Sequence, residues 1–283
     1  MKGALLVAIV ANLFWGLSPL YYFLLGAISP VFLLCLQIVM TFLSLGLVAV
    51  PGEPARWRHA VLRFVPTATL IGANWLAYLL AVLDGKALDA SYGYMIAPVL
   101  TMLLGQLFFK EAMTGRQRLG CLVCAGAVAL DLVVERRFPL AGFLIALPFS
   151  LYILAHKKMG TASPVRALRM ETGILCPFAL AVLLVGPAGP APFDPGLRTI
   201  VLLALLGFVN AIPLVLFVRA SATLTPLQMG GCQFISPVTS ALLAVTVFAI
   251  PIGSGKLLAF TGLAVGMALT VMPAKTAGAA GRR

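Results

Sequence analysis

The sequence predicts an all-α polytopic membrane protein with ten transmembrane helices in two inverted five-helix repeats. Three observations carry this reading. Of 283 residues, 61% are hydrophobic and 10% charged, whereas a soluble domain needs about 25% charged residues to cover its surface. Apolar runs of about 18 residues or more, enough to cross a bilayer as a helix, recur along the whole chain. A sentence written around Asn74 and Pro98 is written again around Asn210 and Pro237. The alternating ten-residue segments of a membrane β-barrel are not visible.

In order, the expected spans are Gly3–Leu24, Pro30–Val50, Leu62–Leu83, Asp89–Phe109 and Leu119–Val134, then Leu140–Ala155, Ala167–Val185, Leu197–Val218, Pro226–Ile250 and Lys256–Met272. The loops between them are polar, or rich in Pro and Gly as in GPAGPAPFDPG, which reads as an irregular turn. Lys2 before an apolar run resembles a signal peptide, but no small-residue cleavage site follows Trp15 and Pro19, so an uncleaved first span is expected. The expected units are residues 1–138, residues 139–274 and a disordered tail over 275–283.

With the N-terminus inside, cytoplasmic segments hold fifteen Lys and Arg and the opposite side five. The positive-inside rule then places both termini in the cytoplasm of a cell inner (plasma) membrane protein. The same rule accounts for the net charge of +12 without nucleic acid, because the cations punctuate the apolar runs instead of gathering on one segment. The five cysteines lie inside apolar runs, and Cys121-x-x-Cys124 has no second pair or nearby His, so buried thiols are expected.

Placing Pro98 over Pro237 also matches Ile96 with Ile235, Val99 with Val238, Leu103 with Leu242, Leu104 with Leu243 and Phe109 with Phe248. At nearly the same offset Asn74 meets Asn210. A five-span unit repeated once enters the membrane upside down the second time, the arrangement that many secondary transporters use for alternating access.

Several segments carry a family resemblance: NLFWG at 12–16, IGANWL at 71–76, LDASYGYMIAPVL at 88–100, MET and CP within 170–177, and QFISP at 233–237. Over essentially its whole length the chain resembles the RarD-type branch of the EamA proteins, in the drug/metabolite transporter superfamily. The resemblance implies a ten-helix, two-repeat inner-membrane carrier whose central cavity is lined by spans 1 to 4 and 6 to 9, with spans 5 and 10 as buttresses. The chain departs from the family twice. Leu36 and Gln37 stand where members commonly carry His-Arg, which removes a cation from the implied cavity. AIPIGSGK stands where they carry Gly-Glu after span 9.

An unpartnered polar group in hydrocarbon costs several kcal/mol, so each one in a span needs a partner or a wet cavity. Asn12 and Trp15 share a helix face, as do Asn74 and Tyr78, and Tyr94 and Pro98. The candidate substrate-binding residues are Asn12, Trp15, Gln37, Asn74, Trp75, Tyr78, Tyr94, Asn210 and Gln233. Mixed amide and aromatic walls suit amphipathic organic solutes. The competing reading is that Asn and Gln tie neighbouring helices together. Pro98 and Pro237 are candidate hinges, against the alternative of tolerated kinks. Glu171 is the candidate for carrying a coupling proton, against a carboxylate placed at a helix N-terminus beside Arg169. His59 and His156 are expected in cytoplasmic loops. Gly262 and Gly266 read as a close helix-packing motif.

No sodium site, nucleotide-binding loop, metal cluster or cofactor motif is visible, and the spans lack the clusters of a membrane hydrolase. The expectation is a non-enzymatic carrier, and an exporter, of small organic metabolites or drug-like molecules. Its partners are its solute and the lipid bilayer. A non-transporting accessory or resistance-associated protein is the alternative. The oligomeric state is left open, and a monomer is compatible with the sequence.

Overall fold

The computed structural model describes residues 2–25, 28–47, 57–83, 87–110, 113–136, 140–160, 163–185, 196–247 and 254–271. The tail over 275–283 and most of the loops at 51–56 and 186–195 lie outside the described residues. The described residues form helices and no strand: α1 (Lys2–Leu25), α2 (Pro30–Gly46), α3 (Trp57–Leu83), α4 (Ala87–Phe109), α5 (Gly115–Glu135), α6 (Leu140–Met159), α7 (Pro164–Val185), α8 (Leu197–Ser221), α9 (Pro226–Gln233), α10 (Ile235–Thr246) and α11 (Ser254–Val271). Six of them, α1, α3, α5, α6, α7 and α8, are long and apolar enough to cross a membrane. Their outer faces carry large apolar side chains such as Leu122, 68% exposed, and Phe178, 69% exposed. So much exposed apolar surface is matched to lipid, where a helix satisfies its own backbone groups.

Local chemistry sets the helix ends. Thr114 opens α5 and Thr225 opens α9 with capping boxes, in which the threonine hydroxyl accepts the backbone N–H of Gln117 or Gln228 and the glutamine carbonyl accepts the threonine N–H in return. Gly160, at φ +57, follows the end of α6 in the left-handed conformation that stops helices. Pro30 and Pro164 stand at the first positions of α2 and α7, where a missing N–H costs nothing.

The stretch expected as span 9 is two helices. Phe234 separates α9 from α10 but keeps right-handed helical angles, φ −66 and ψ −19, so the hydrogen bonding lapses without a turn. Pro237 has no N–H for the carbonyl of Gln233, and Gly230 and Gly231 weaken the segment before it. Pro98 has the same defect, yet α4 runs through it unbroken.

The packing partners fall into matching sets. α3 packs on α6 and α7, while α8 packs on α1 and α2; α6 packs on α4, while α1 packs on α9 and α10. α2 packs on α7, and α5 on α11. The α5–α11 pair meets the rest chiefly through α4 and α9, a buttressing position. Its crossing is close because Gly266 lacks a side chain: a Cβ there would lie 2.4 Å from Cys124 Sγ and 2.8 Å from the Gly120 carbonyl oxygen. Gly262 faces Ala127 in the same seam, so both glycines pack as their spacing indicates.

Candidate functional site

Four polar side chains from the first four helices gather at one end of the bundle. Tyr22 on α1 donates its hydroxyl to Gln37 Oε1 on α2 at 2.9 Å. The Tyr78 ring on α3 lies 5.8 Å, centroid to centroid, from that of Tyr94 on α4, and the phenols of Tyr22, Tyr78 and Tyr94 are within electrostatic range of one another. Tyr94 is 36% exposed and Tyr78 43% exposed, although both hydroxyls lie deep among protein atoms. Accessible surface at that depth means the rings line an internal chamber. Tyr21 donates to the Leu202 carbonyl of α8, which closes this end against the second half of the chain.

The remaining candidates are placed differently. Trp15 is half-buried, its ring edge-on to Phe149 at 6.1 Å and to Phe217 at 5.5 Å. Trp75 packs between two apolar clusters. Asn12 is buried and donates to the Ala8 carbonyl one turn back in its own helix. Asn74 donates to the Ile145 carbonyl of α6 at 2.8 Å, and Asn210 to Thr41 Oγ1 of α2 at 3.1 Å. These two amides tie helices together, as the competing reading has it. Gln233 is buried, with Oε1 at 3.3 Å from Thr101 Oγ1, which also lies 3.2 Å from Ser150 Oγ. Its Nε2 finds no acceptor among the described residues. The carbonyls that Pro98 and Pro237 leave without a helical donor belong to Tyr94 and Gln233, so each proline sits one turn from a candidate binding residue.

Two expectations are corrected at the other end. His156 does not lie in a loop: it is in α6 and 1% exposed. Glu171 does not lie at the first turn of its helix, because α7 starts at Pro164, and the residue is fully buried. His156 Nε2 pairs with Glu171 Oε1 at 2.9 Å, and Tyr152 donates its hydroxyl to Glu171 Oε2 at 3.0 Å. The Tyr152 and His156 rings meet edge-on at 4.5 Å. Lys157 beside this pair reaches the Leu224 carbonyl beyond the C-terminal end of α8, whereas Tyr21 beside Tyr22 reaches Leu202 near its N-terminal end. The two pairs are therefore at opposite ends of the bundle, about 30 Å apart along α8 at the helical rise.

One sequence signal could have found His156. GAISPV at 26–31 and GTASPV at 160–165 are the same stop-and-start punctuation, 134 residues apart. That offset also sets Trp15 against Phe149, Tyr22 against His156, and Gln37 against Glu171. Both aligned polar pairs are in direct contact at the same distance, 2.9 Å.

The model of the EamA-like transporter family matches residues 1–132. An uncharacterized transporter of Vibrio cholerae is 33% identical over 294 residues, covering 100% of this chain and 96% of that protein. The uncharacterized transporter YojE of Bacillus subtilis is 32% identical, with 92% of this chain and 90% of that protein covered. Protein RarD of Salmonella typhimurium is 31% identical, with 96% of each covered. A solved crystal structure shares the fold at a TM-score of 0.71 and 18% identity, covering 95% of this chain and 98% of that one. Near-complete alignment to these relatives, with the apolar helices above, makes the chain a multi-pass membrane protein that belongs to the RarD-type EamA proteins of the drug/metabolite transporter superfamily.

Proposed function

We propose that the protein is a secondary carrier, working as an exporter of small amphipathic organic solutes across the inner membrane by alternating access. The observation that carries the reading is the tyrosine-lined chamber of Tyr22, Gln37, Tyr78 and Tyr94, accessible although deep in the protein. Aromatic faces with a few hydroxyl and amide groups suit organic solutes with apolar bodies and polar edges. Trp15 and Trp75 extend the wall, and the unpaired Gln233 amide offers a donor to a solute acceptor.

Alternating access requires two halves that can exchange conformations, here residues 1–138 and 139–274. Three features support such an inverted repeat. Packing partners recur in matched sets. The 134-residue register aligns two contacting polar pairs at opposite ends. Ser150 donates to the Ala97 carbonyl of α4 while Ser240 of α10 donates to the Gly16 carbonyl, and Gly16 and Ser150 are again 134 residues apart. The excess of Lys and Arg on one side supports cytoplasmic termini.

A thermal-shift screen of purified protein against amino acids, nucleosides, vitamins and antibiotics tests the reading. A solute at a hundredfold excess over its Kd stabilises the fold by about 2.7 kcal/mol. A stabilising compound whose effect disappears in Tyr94→Ala and Tyr78→Ala supports the chamber. Compounds that stabilise wild type and both variants equally place binding elsewhere and contradict it.

A further inference from the structure

The best-sealed ionisable group in the described bundle is absent from the chamber. Glu171 has both carboxylate oxygens engaged, one by His156 Nε2 at 2.9 Å and one by the Tyr152 hydroxyl at 3.0 Å, and all three side chains are 1% exposed or less. The aligned position in the first half holds Gln37 against Tyr22, a neutral pair beside the accessible chamber. The same contact is thus built twice, once without ionisable charge and once with a carboxylate and an imidazole.

We propose that His156 and Glu171, steadied by Tyr152, form a proton-binding site that couples solute movement to proton movement; this rests on the carrier reading above. With one proton shared between imidazole and carboxylate, the pair is neutral as a unit. With none, it holds a whole negative charge where water cannot reach it, which is costly in a membrane interior. The buried arrangement seen here therefore goes with the proton-loaded pair. Release needs this end of the bundle to open: the proton passes from the pair to water, and the carboxylate is left facing the mouth. On reclosing, the pair takes one proton back.

The charged groups around it suit that cycle. Arg63 of α3 donates to the Met159 carbonyl one turn beyond His156, and Lys157 lies over the Phe109 ring of α4. Arg166 and Arg169 flank Glu171 on α7, and Lys110 after α4 and Arg219 of α8 are exposed at the same end. α2, packed against α7, carries no charged residue between Pro30 and Gly46. The mouth is cationic, so an opened, proton-free pair meets a stabilising field, while the closed pair is neutral.

The test is the pH dependence of hydrogen–deuterium exchange over residues 150–172 in the full chain in lipid nanodiscs, with the proton as the probe. Wild type is compared at each pH with Glu171→Gln and with His156→Gln, which cancels the intrinsic pH dependence of exchange. Opening that releases one proton grows by about tenfold per pH unit at its steepest. The expected result is that wild-type protection falls with that slope as pH rises through the histidine range, and that the slope is lost in both variants. A flat wild-type profile, or the same slope in both variants, overturns the site. Counterflow of a compound found by the screen separates the two proposals. Flux with a flat wild-type profile removes the proton site and leaves the carrier; a Glu171-dependent profile in a protein that moves no solute keeps the site and removes the carrier.

Discussion

The two ends of the bundle hold one architectural device in two chemistries. At one end Tyr22 and Gln37 meet in a neutral hydrogen bond next to half-exposed tyrosines. At the other, 134 residues on, His156 and Glu171 meet as an ionisable pair with no exposed surface. The first end can be wetted cheaply; the second is sealed and stays sealed only while its charge is balanced. Two halves of related packing thus acquire unlike gates through two residue differences, His for Tyr and Glu for Gln.

Mutations can break this contrast, beginning with the pair itself. Glu171→Leu strands the imidazole and the Tyr152 hydroxyl, and should lower stability by about 3–5 kcal/mol in a detergent-unfolding titration. The matching change at the neutral end, Gln37→Leu, should cost only about 1 kcal/mol, the net worth of one hydrogen bond. Equal losses would show that the two ends do not differ in the way described.

Next in size is the seam between the halves. At Gly207 of α8 a Cβ would lie 2.2 Å from the Met40 carbonyl oxygen of α2, and backbone cannot step aside as a side chain can. Gly207→Ala should therefore cost about 1–3 kcal/mol, read as a lower midpoint of thermal unfolding. At Gly126 nothing lies within 4 Å, and Gly126→Ala should leave the midpoint unchanged or slightly higher.

The smallest effect separates ties from walls. Asn74→Leu removes the bond to the Ile145 carbonyl and should cost about 0.6 kcal/mol, the average for such membrane hydrogen bonds, with solute binding retained. Lost binding in a protein of unchanged stability would return Asn74 to the chamber wall.

Length and hydropathy made most helices legible, because a span needs about 20 apolar residues whatever their identity. The lapse at Phe234 was not legible: Pro98 and Pro237 look alike in sequence, yet only the second helix, already weakened by Gly230 and Gly231, breaks. Tyr78 and Tyr94 could be singled out because helical spacing puts each on a shared face. His156 was misplaced because Lys157 and Lys158 follow it and the run HKK reads as a loop. The fold instead lets the lysines reach outward from the last turn of α6 while the histidine turns inward. Glu171 was recognised as a residue of interest, but its partners lie on another helix, which one-helix spacing cannot reveal.

The central claim is that solute passes through the tyrosine chamber, and counterflow in proteoliposomes tests it most directly. Vesicles are loaded with an excess of a compound identified by the stability screen, and uptake of the labelled compound is followed in wild type, Tyr94→Ala and Gly126→Ala. The account predicts a transient overshoot in wild type and Gly126→Ala, and its loss in Tyr94→Ala. An undiminished overshoot in Tyr94→Ala, with the variant folded and inserted, would contradict it.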